Sequence, residues 1–310
     1  MRLISASADR SKHLVLTAGP QNPPVLQVVD LKAGRLDVVA EAYPQLRGIQ
    51  LGTVRRHEYM TGDGVKLTGL LTVPPGKEPQ NLPLVVLPFG GFGYADDNFD
   101  WFSHFLAQRG YAVLEAGARN LKGMGEVASM DEFGGWVSAM QEDIAAAVRD
   151  VTGKGIADPA RVCIAGAGNA GYVALSATVF LPEQYACGIG LKGFYDMRVM
   201  LRDARDVSQL AQNTFNSAII RNRRDYSDDD LVRFSPALHA DQVKARILLI
   251  VGDRDQSTDQ VTIMRDRLSE KGKTVEFVSL PDEAGYLTAV GNRTTLLNSI
   301  DRFLQTHIGK

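Results

Sequence analysis

The sequence predicts a doubly wound α/β domain on a mostly parallel sheet, preceded by a short antiparallel β segment. From about residue 54 onward, strand-length apolar runs alternate with helical stretches, which is typical of such a sheet. The continuous apolar run Leu84-Val85-Val86-Leu87-Pro88 is typical of a strand buried on both faces. The chain before residue 54 has a different rhythm. Because ligands bind at the carboxyl ends of the strands in doubly wound sheets, we expect the functional residues directly after the strands.

Residues 1–53 form the first predicted region, an antiparallel meander. Leu14–Leu16, Val25–Val29 and Leu36–Val39 are strand-length apolar runs, and Gly, Pro and Asn residues separate them, including the pair Pro23-Pro24. A meander of this size resembles one blade of a β-propeller. Since a lone blade buries little apolar surface, we expect it to pack against something else, with a second copy of the chain or another subunit as possible partners.

Residues 54–310 form the second predicted region, in which strands and helices alternate. The elbow helix is predicted over Ala170–Phe180, another helix over Asp259–Lys271 with Gly272 as its C-terminal cap, and a last helix from the apolar stripe that ends at Leu304. The predicted strands are Val65–Val73, Leu84–Pro88, Tyr111–Glu115, Arg161–Ala165, Ala186–Leu191, Arg246–Val251 and Thr274–Leu280.

Composition excludes several classes of function. The chain has 310 residues, of which 45% are hydrophobic and 23% charged, with a net charge of -2. This balance gives no electrostatic case for binding nucleic acid or an anionic membrane. No apolar stretch approaches the ~20 residues of a membrane helix, and no signal peptide is seen, so a cytoplasmic protein is expected.

Cys163 and Cys187 lie in apolar runs and are expected to be two core residues rather than a disulfide or a metal pair. No cofactor or metal is expected.

The glycine-rich turn Gly166–Gly171 allows two interpretations. Gly166, Gly168 and Gly171 spell G-x-G-x-x-G between a strand and a helix, which is the pattern of a dinucleotide-binding turn. That pattern requires an acidic residue at the end of the next strand, but the sequence there is Leu191-Lys192-Gly193. Dinucleotide binding is therefore the less favoured interpretation.

The second interpretation is a nucleophile elbow, in which a residue on a tight strand-to-helix turn is raised above the sheet. Small residues two positions before and after the raised residue let such a turn close, and Gly166 and Ala170 occupy those places around position 168. The raised residue, however, is Gly168, which has no side chain.

Six matches in the second region, taken in order, carry a family resemblance. They are Leu84–Gly91, Arg109–Val113, Trp136 with Asp143, Asp158–Val162, Ser235-Pro236 and Leu248–Asp255. On these segments, the chain from about residue 54 to 306 resembles the catalytic domain of the prolyl oligopeptidase (S9) family of serine peptidases. The resemblance implies an α/β-hydrolase fold with a mostly parallel eight-stranded sheet, and residues 1–53 look like the last blade of the propeller that precedes this domain in the family.

The resemblance also implies a site, carried over one residue at a time. The nucleophilic serine falls at Gly168, and the catalytic histidine falls at Gly285 in a P-x-E-x-H context. The carboxylate that orients the histidine falls at Asp255 and is retained. The oxyanion hole uses the backbone N–H of Asn169, and its side-chain donor falls at Phe89, which has no polar group.

These substitutions predict a pseudo-peptidase that acts by binding a peptide or small ligand, or by subunit association. Without a side-chain oxygen no acyl-enzyme forms, and without an imidazole no base activates a serine or a water. The alternative is a residual serine-type peptidase or esterase with a rearranged site, for which His239 is the least implausible substitute histidine. Dinucleotide binding at the glycine-rich turn is a further, less favoured possibility.

Overall fold

A computed structural model of the chain describes residues 1–88, 99–118, 133–203, 227–285 and 287–309. The first of its two sheets is antiparallel, with four strands in chain order. These strands are β1 (Arg2–Ala6), β2 (Lys12–Gly19), β3 (Asn22–Asp30) and β4 (Arg35–Glu41), and a 3-10 turn follows at Pro44–Leu46.

The first sheet differs from its prediction in one turn. Pro23 and Pro24 were expected between strands, but both lie near the beginning of β3. A proline is tolerated at the beginning of a strand because its missing N–H costs least there. The turn itself lies between Gly19 and Asn22, which are paired residues of β2 and β3. β1 is an addition to the three strands identified from the sequence.

The second sheet has eight strands in the order β12-β11-β10-β9-β7-β8-β6-β5. Its strands are β5 (Thr53–Met60), β6 (Lys66–Val73), β7 (Leu82–Pro88), β8 (Ala112–Ala116), β9 (Ala157–Ala167), β10 (Cys187–Leu191), β11 (Arg246–Gly252) and β12 (Val275–Leu280). The pairs formed by β7 to β12 are parallel, whereas β5 pairs with β6 and β6 with β8 in antiparallel fashion. The predicted mostly parallel, eight-stranded sheet is confirmed. The domain boundary predicted at residue 53 stays a prediction.

Helices cover both faces of this sheet. They are α1 (Trp101–Gln108), α2 (Phe133–Gly153), α3 (Asn169–Phe180), α4 (Met197–Asp203), α5 (Asp228–Arg233), α6 (Thr258–Glu270) and α7 (Val290–His307), with a 3-10 segment at Pro236–Gln242. Successive residues of β7 enter different cores: Leu84 and Val86 pack in the core that includes α2, α3 and α6, and Val85 and Leu87 pack in the core that includes α1 and α7. This two-sided burial explains why the strand is apolar at every position.

The two cysteines are bonded, which corrects the expectation. Cys163 of β9 and Cys187 of β10 are directly paired residues of adjacent parallel strands. Their Cα atoms are 4.6 Å apart and their sulfur atoms form a disulfide. The prediction that both are core residues is confirmed, since both are fully buried. The prediction that they do not pair is wrong, because the strand register that places them side by side is not visible in the sequence.

No helix in the described part of the chain is both long and apolar enough to cross a membrane. The expected cytoplasmic location stays a prediction.

Candidate active site

The carboxyl edge of the second sheet brings four loop positions together. β9, β10, β11 and β12 are neighbours and run parallel, so their carboxyl ends lie side by side. Gly168 follows β9 and Lys192 follows β10, while Asp255 and Gly285 lie in the loops after β11 and β12. Three of these four positions are those that the sequence predicted.

The turn between β9 and α3 has the tight geometry predicted for an elbow. Gly168 has φ +58° and ψ -118°, a backbone conformation that residues with side chains rarely adopt. A Cβ atom at position 166 would overlap the backbone of Ala170 and lie 2.8 Å from its Cβ. The turn is fixed to the next strand because the Gly168 N–H donates to the Leu191 carbonyl at 2.8 Å. The predicted reason for small residues at positions 166 and 170 therefore holds.

Position 168 itself faces open space. A Cβ atom built there meets no heavy atom of the described residues within 4 Å. Asn169 is the first residue of α3, so its N–H belongs to the helix N-terminus, where N–H groups have no partner within the helix. Phe89 lies outside the described residues. The oxyanion roles of Asn169 and Phe89 stay predictions.

Asp255 turns one carboxylate oxygen toward Gly285. Its Oδ1 accepts hydrogen bonds from the Ser257 backbone N–H at 2.8 Å and the Ser257 hydroxyl at 2.6 Å. A Cβ atom built at position 285 would overlap Asp255 Oδ2 and lie 3.3 Å from Asp255 Cγ. Gly285 also has φ +95°, in the region that favours glycine. The carboxylate thus fills the space where a side chain at 285 would begin.

Lys192 reaches the same space from β10. Its Nζ donates to the Gly285 carbonyl at 2.6 Å, and it lies 3.4 Å from the Cβ position at 285. Its backbone N–H donates to the Ile250 carbonyl of β11 at 2.9 Å, which anchors the residue between strands. Sequence reasoning noted Lys192 only as a missing carboxylate. The signal that could have found it is a basic residue directly after the strand next to the elbow strand.

Glu283 holds the loop that carries Gly285. Its side chain is buried, and its Oε1 accepts the backbone N–H groups of Gly285 at 3.0 Å and Leu287 at 2.9 Å. Asn292 of α7 approaches the other carboxylate oxygen at 3.4 Å. The acidic residue of the predicted P-x-E-x-H context therefore fixes the backbone of this loop.

Four of the five histidines contact residues other than Gly168, Lys192, Asp255 and Gly285. His239, the candidate substitute base, lies 3.0 Å from the Val232 carbonyl and packs beside Phe180. The rearranged-site interpretation therefore has no support from its position. The others lie as follows: His57 is 2.7 Å from Asp150, His104 is 2.8 Å from the Pro20 carbonyl, His307 is 3.9 Å from Glu276, and His13 lies on β2. Burial lowers the pKa of both His57 and His104.

Within the described ranges, no group of three or more His, Cys, Asp and Glu side chains could hold a metal ion. The acidic residue that a dinucleotide-binding turn needs at the end of the next strand is replaced by Lys192 after β10. Dinucleotide binding stays an untested and less favoured alternative.

A comparison with protein families decides the family. The family model of Peptidase S9, the prolyl oligopeptidase family, matches residues 97–310, more than half of the chain. The chain belongs to the prolyl oligopeptidase family. Dipeptidyl aminopeptidase BIII of Pseudoxanthomonas mexicana is 29% identical over 294 residues, which cover 89% of this chain and 41% of that protein. Dipeptidyl peptidase family member 6 of Caenorhabditis elegans is 26% identical and is matched over 100% of this chain and 45% of its own length.

Solved structures show the same fold. A puromycin-hydrolyzing peptidase of Mycobacterium tuberculosis superposes with a TM-score of 0.83 at 20% identity, covering 96% of this chain and 46% of that one. The acylaminoacyl peptidase of Pyrococcus horikoshii superposes with a TM-score of 0.80 at 19% identity, covering 100% of this chain and 49% of that one. The chain spans less than half the length of the curated relatives named above.

The side-chain groups at this edge limit the reactions that this member of the prolyl oligopeptidase family can carry out there. Gly168 presents no side-chain oxygen, and Gly285 no imidazole. What the edge does present is a carboxylate, Asp255, and an ammonium group, Lys192, in the loops next to the one from which α3 begins. Such groups bind charged and polar ligands through charge-assisted hydrogen bonds.

Proposed function

We propose that this chain is a pseudo-peptidase of the prolyl oligopeptidase family, which binds a peptide or small ligand at the carboxyl edge of its sheet without hydrolysing it. Gly168 carries the proposal: the residue at the tip of the elbow has no side chain, and no heavy atom of the described residues lies within 4 Å of where one would begin. Serine-type hydrolysis needs a side-chain oxygen to form the acyl-enzyme and a base to activate that oxygen.

The space beside Gly285 supports the proposal independently. Asp255 Oδ2 occupies the place where a histidine side chain at 285 would begin, and the Lys192 ammonium group lies next to it, so a base at 285 requires the Asp255 carboxylate to move. A peptide, or a small ligand of the kind that peptides are made from, is the ligand class that we propose, because both curated relatives are named as dipeptidyl peptidases or aminopeptidases.

A serine-directed fluorophosphonate probe tests the absence of a nucleophile. The wild-type chain should remain unlabelled, as judged by intact mass, and should not turn over a p-nitrophenyl ester above the rate of buffer. Labelling that maps to a serine would refute the proposal. Asp255→Ala should leave the background rate unchanged, whereas a drop in rate would favour a residual hydrolase with a rearranged site.

Restoring the missing groups tests the assignment of the two positions. Gly168→Ser places an oxygen where no described heavy atom lies within 4 Å, whereas a side chain at 285 overlaps Asp255 Oδ2 and begins 3.4 Å from the Lys192 ammonium group, whose charge opposes a protonated imidazole. We therefore combine both changes with Lys192→Ala, and the triple variant should gain fluorophosphonate labelling at residue 168. The matched control replaces Gly285→His with Gly285→Ala and should label at least about tenfold more slowly, since general-base catalysis contributes about 10²–10⁴-fold. Equal labelling of both would contradict the assignment of position 285.

Subunit association through the first sheet is a second candidate function. β4 is an edge strand, and its Val38 and Val39 are 56% and 55% exposed. Exposed apolar edge strands favour pairing with another chain. We propose that this edge joins a second copy or a partner subunit; Val38→Glu with Val39→Glu should then lower the mass measured by sedimentation, and the exposed Val290→Glu should not. A wild-type monomer at all concentrations would exclude self-association.

A further inference from the structure

The side chains of Lys192 and Asp255 each have hydrogen-bonding groups that the described residues do not use, and these groups lie close together. A lysine ammonium has three N–H donors, and Lys192 uses one of them on the Gly285 carbonyl. Asp255 receives both bonds from Ser257 on Oδ1. Among the described residues, no hydrogen bond reaches Asp255 Oδ2. One donor group and one acceptor atom are thus left for a ligand.

The two side chains converge without neutralising each other directly. The Cβ position at residue 285 shows how close the two groups are: a Cβ atom there would overlap Asp255 Oδ2 and lie 3.4 Å from Lys192 Nζ. Within the described chain, the two groups form no ion pair with each other. Because Gly285 has no side chain, the space between them is left by the sequence itself.

The backbone at Lys192 is consistent with a functional role. Lys192 has φ +45°, and a non-glycine residue in this left-handed region is uncommon. Such conformations cost energy and persist where the surrounding structure enforces them, often at binding sites. Here the enforcing contact is the bond from the Lys192 N–H to the Ile250 carbonyl.

A paired positive and negative charge selects a ligand with both charges. An anion bound to Lys192 alone is repelled by Asp255, and a cation bound to Asp255 alone is repelled by Lys192. A zwitterion satisfies both groups at once. We infer that this site binds the α-carboxylate of a free amino acid through Lys192 and its α-ammonium group through Asp255, an inference that rests on the proposed non-hydrolytic binding function.

The test begins with the twenty free amino acids as probes. Each is added at millimolar concentration and the thermal unfolding of the wild-type chain is measured; at least one should raise the Tm, and its affinity is then measured by calorimetry. Its α-amide, which lacks the carboxylate, and its N-acetyl derivative, which lacks the ammonium group, should each bind at least about tenfold more weakly. If no amino acid binds, or if either derivative binds as tightly as the parent, the inference is wrong.

Variants assign the two charges. Lys192→Met and Asp255→Asn should each weaken binding of the amino acid by about 10- to 100-fold, and Lys192→Arg should retain most of the affinity because it keeps the positive charge. Lys244→Met is the matched control, since Lys244 pairs with Glu183 on the surface, and it should bind as the wild type does. Unchanged affinity in Lys192→Met would overturn the assignment.

The outcome separates this inference from the proposed function. If a dipeptide blocked at both termini binds and no free amino acid does, the binding function stands and the zwitterion inference fails. If an amino acid binds but the wild-type chain reacts with the fluorophosphonate probe, the ligand class stands and the pseudo-peptidase proposal fails. If neither the dipeptide nor an amino acid binds, both fail.

Discussion

Adding one methyl group at each of two glycines tests how the candidate site is built. Gly168 and Gly285 both have positive φ, +58° and +95°, so Gly168→Ala and Gly285→Ala each introduce backbone strain of about 1–3 kcal/mol. Their surroundings differ. The new Cβ at 168 meets no heavy atom of the described residues within 4 Å, whereas the new Cβ at 285 overlaps the carboxylate of Asp255.

The extra cost at position 285 follows from the bonds that Asp255 must give up. If the carboxylate turns away, it loses the two hydrogen bonds from Ser257, and a hydrogen bond to a charged group contributes about 1.5 kcal/mol at the lower end of its range. Gly285→Ala should therefore destabilise the chain by about 3 kcal/mol more than Gly168→Ala. At about 2 °C per kcal/mol for a chain of this size, its Tm should be about 6 °C lower.

A double-mutant cycle decides whether Asp255 is the cause. Chemical denaturation of Gly285→Ala, Asp255→Ala and the double variant should show that the extra cost of about 3 kcal/mol disappears when Asp255 is absent. In that background, Gly285→Ala should cost no more than Gly168→Ala does in the wild type. Equal destabilisation by the two glycine substitutions, or a cost at 285 that does not depend on Asp255, would refute the reasoning.

Three further predictions concern groups outside the reacting positions. Burial lowers the pKa of His57 and His104 in the folded state, so the unfolded state binds more protons between their lowered folded-state pKa values and about pH 6.5. The free energy of unfolding, measured by urea titration, should therefore decrease as the pH is lowered through this window; His104→Phe should flatten this slope, and an unchanged slope would contradict the prediction. Glu283→Ala should lower the free energy of unfolding by about 3 kcal/mol, because two backbone N–H groups lose their acceptor, and a loss under about 1 kcal/mol would speak against that role. In unreduced, denatured protein, Cys163 and Cys187 should resist alkylation, as seen by mass spectrometry, and their separation of 24 residues predicts a loss of about 3.5 kcal/mol on replacing both with alanine; two alkylated thiols would disprove the bond.

Local sequence pattern was sufficient to predict seven of the eight strands of the second sheet. A strand such as β7 is buried on both faces, so its apolar run marks it without any knowledge of its neighbours. β5 shows the limit of this approach: it is an edge strand in which most positions are exposed, and the pattern of Thr53–Met60 did not predict it. The strand order and register were also out of reach, which is why the bond between Cys163 and Cys187 was missed.

The site was predicted where backbone geometry imposes residue size. Gly166 and Ala170 must be small because they touch within a tight turn, and that requirement is visible in a single sequence. Lys192 was not predicted, because its role depends on the contact between its ammonium group and the carbonyl of Gly285, from a loop 93 positions away in the chain. Contacts between distant loops at a sheet edge leave no periodic signal.

The two glycines of the site differ in a way that bears on its proposed function. Position 168 lacks a side chain, and among the described residues a Cβ atom placed there meets backbone strain but no heavy atom within 4 Å. Position 285 lacks a side chain, the Asp255 carboxylate takes the place where that side chain would begin, and the Lys192 ammonium group lies beside it. If the nucleophile alone were missing, a base would stand at position 285. If the nucleophile and the base were missing with no other change, both positions would be open. An open elbow beside a charged pair is instead what a binding site needs: room for a ligand, and fixed groups that recognise its charges.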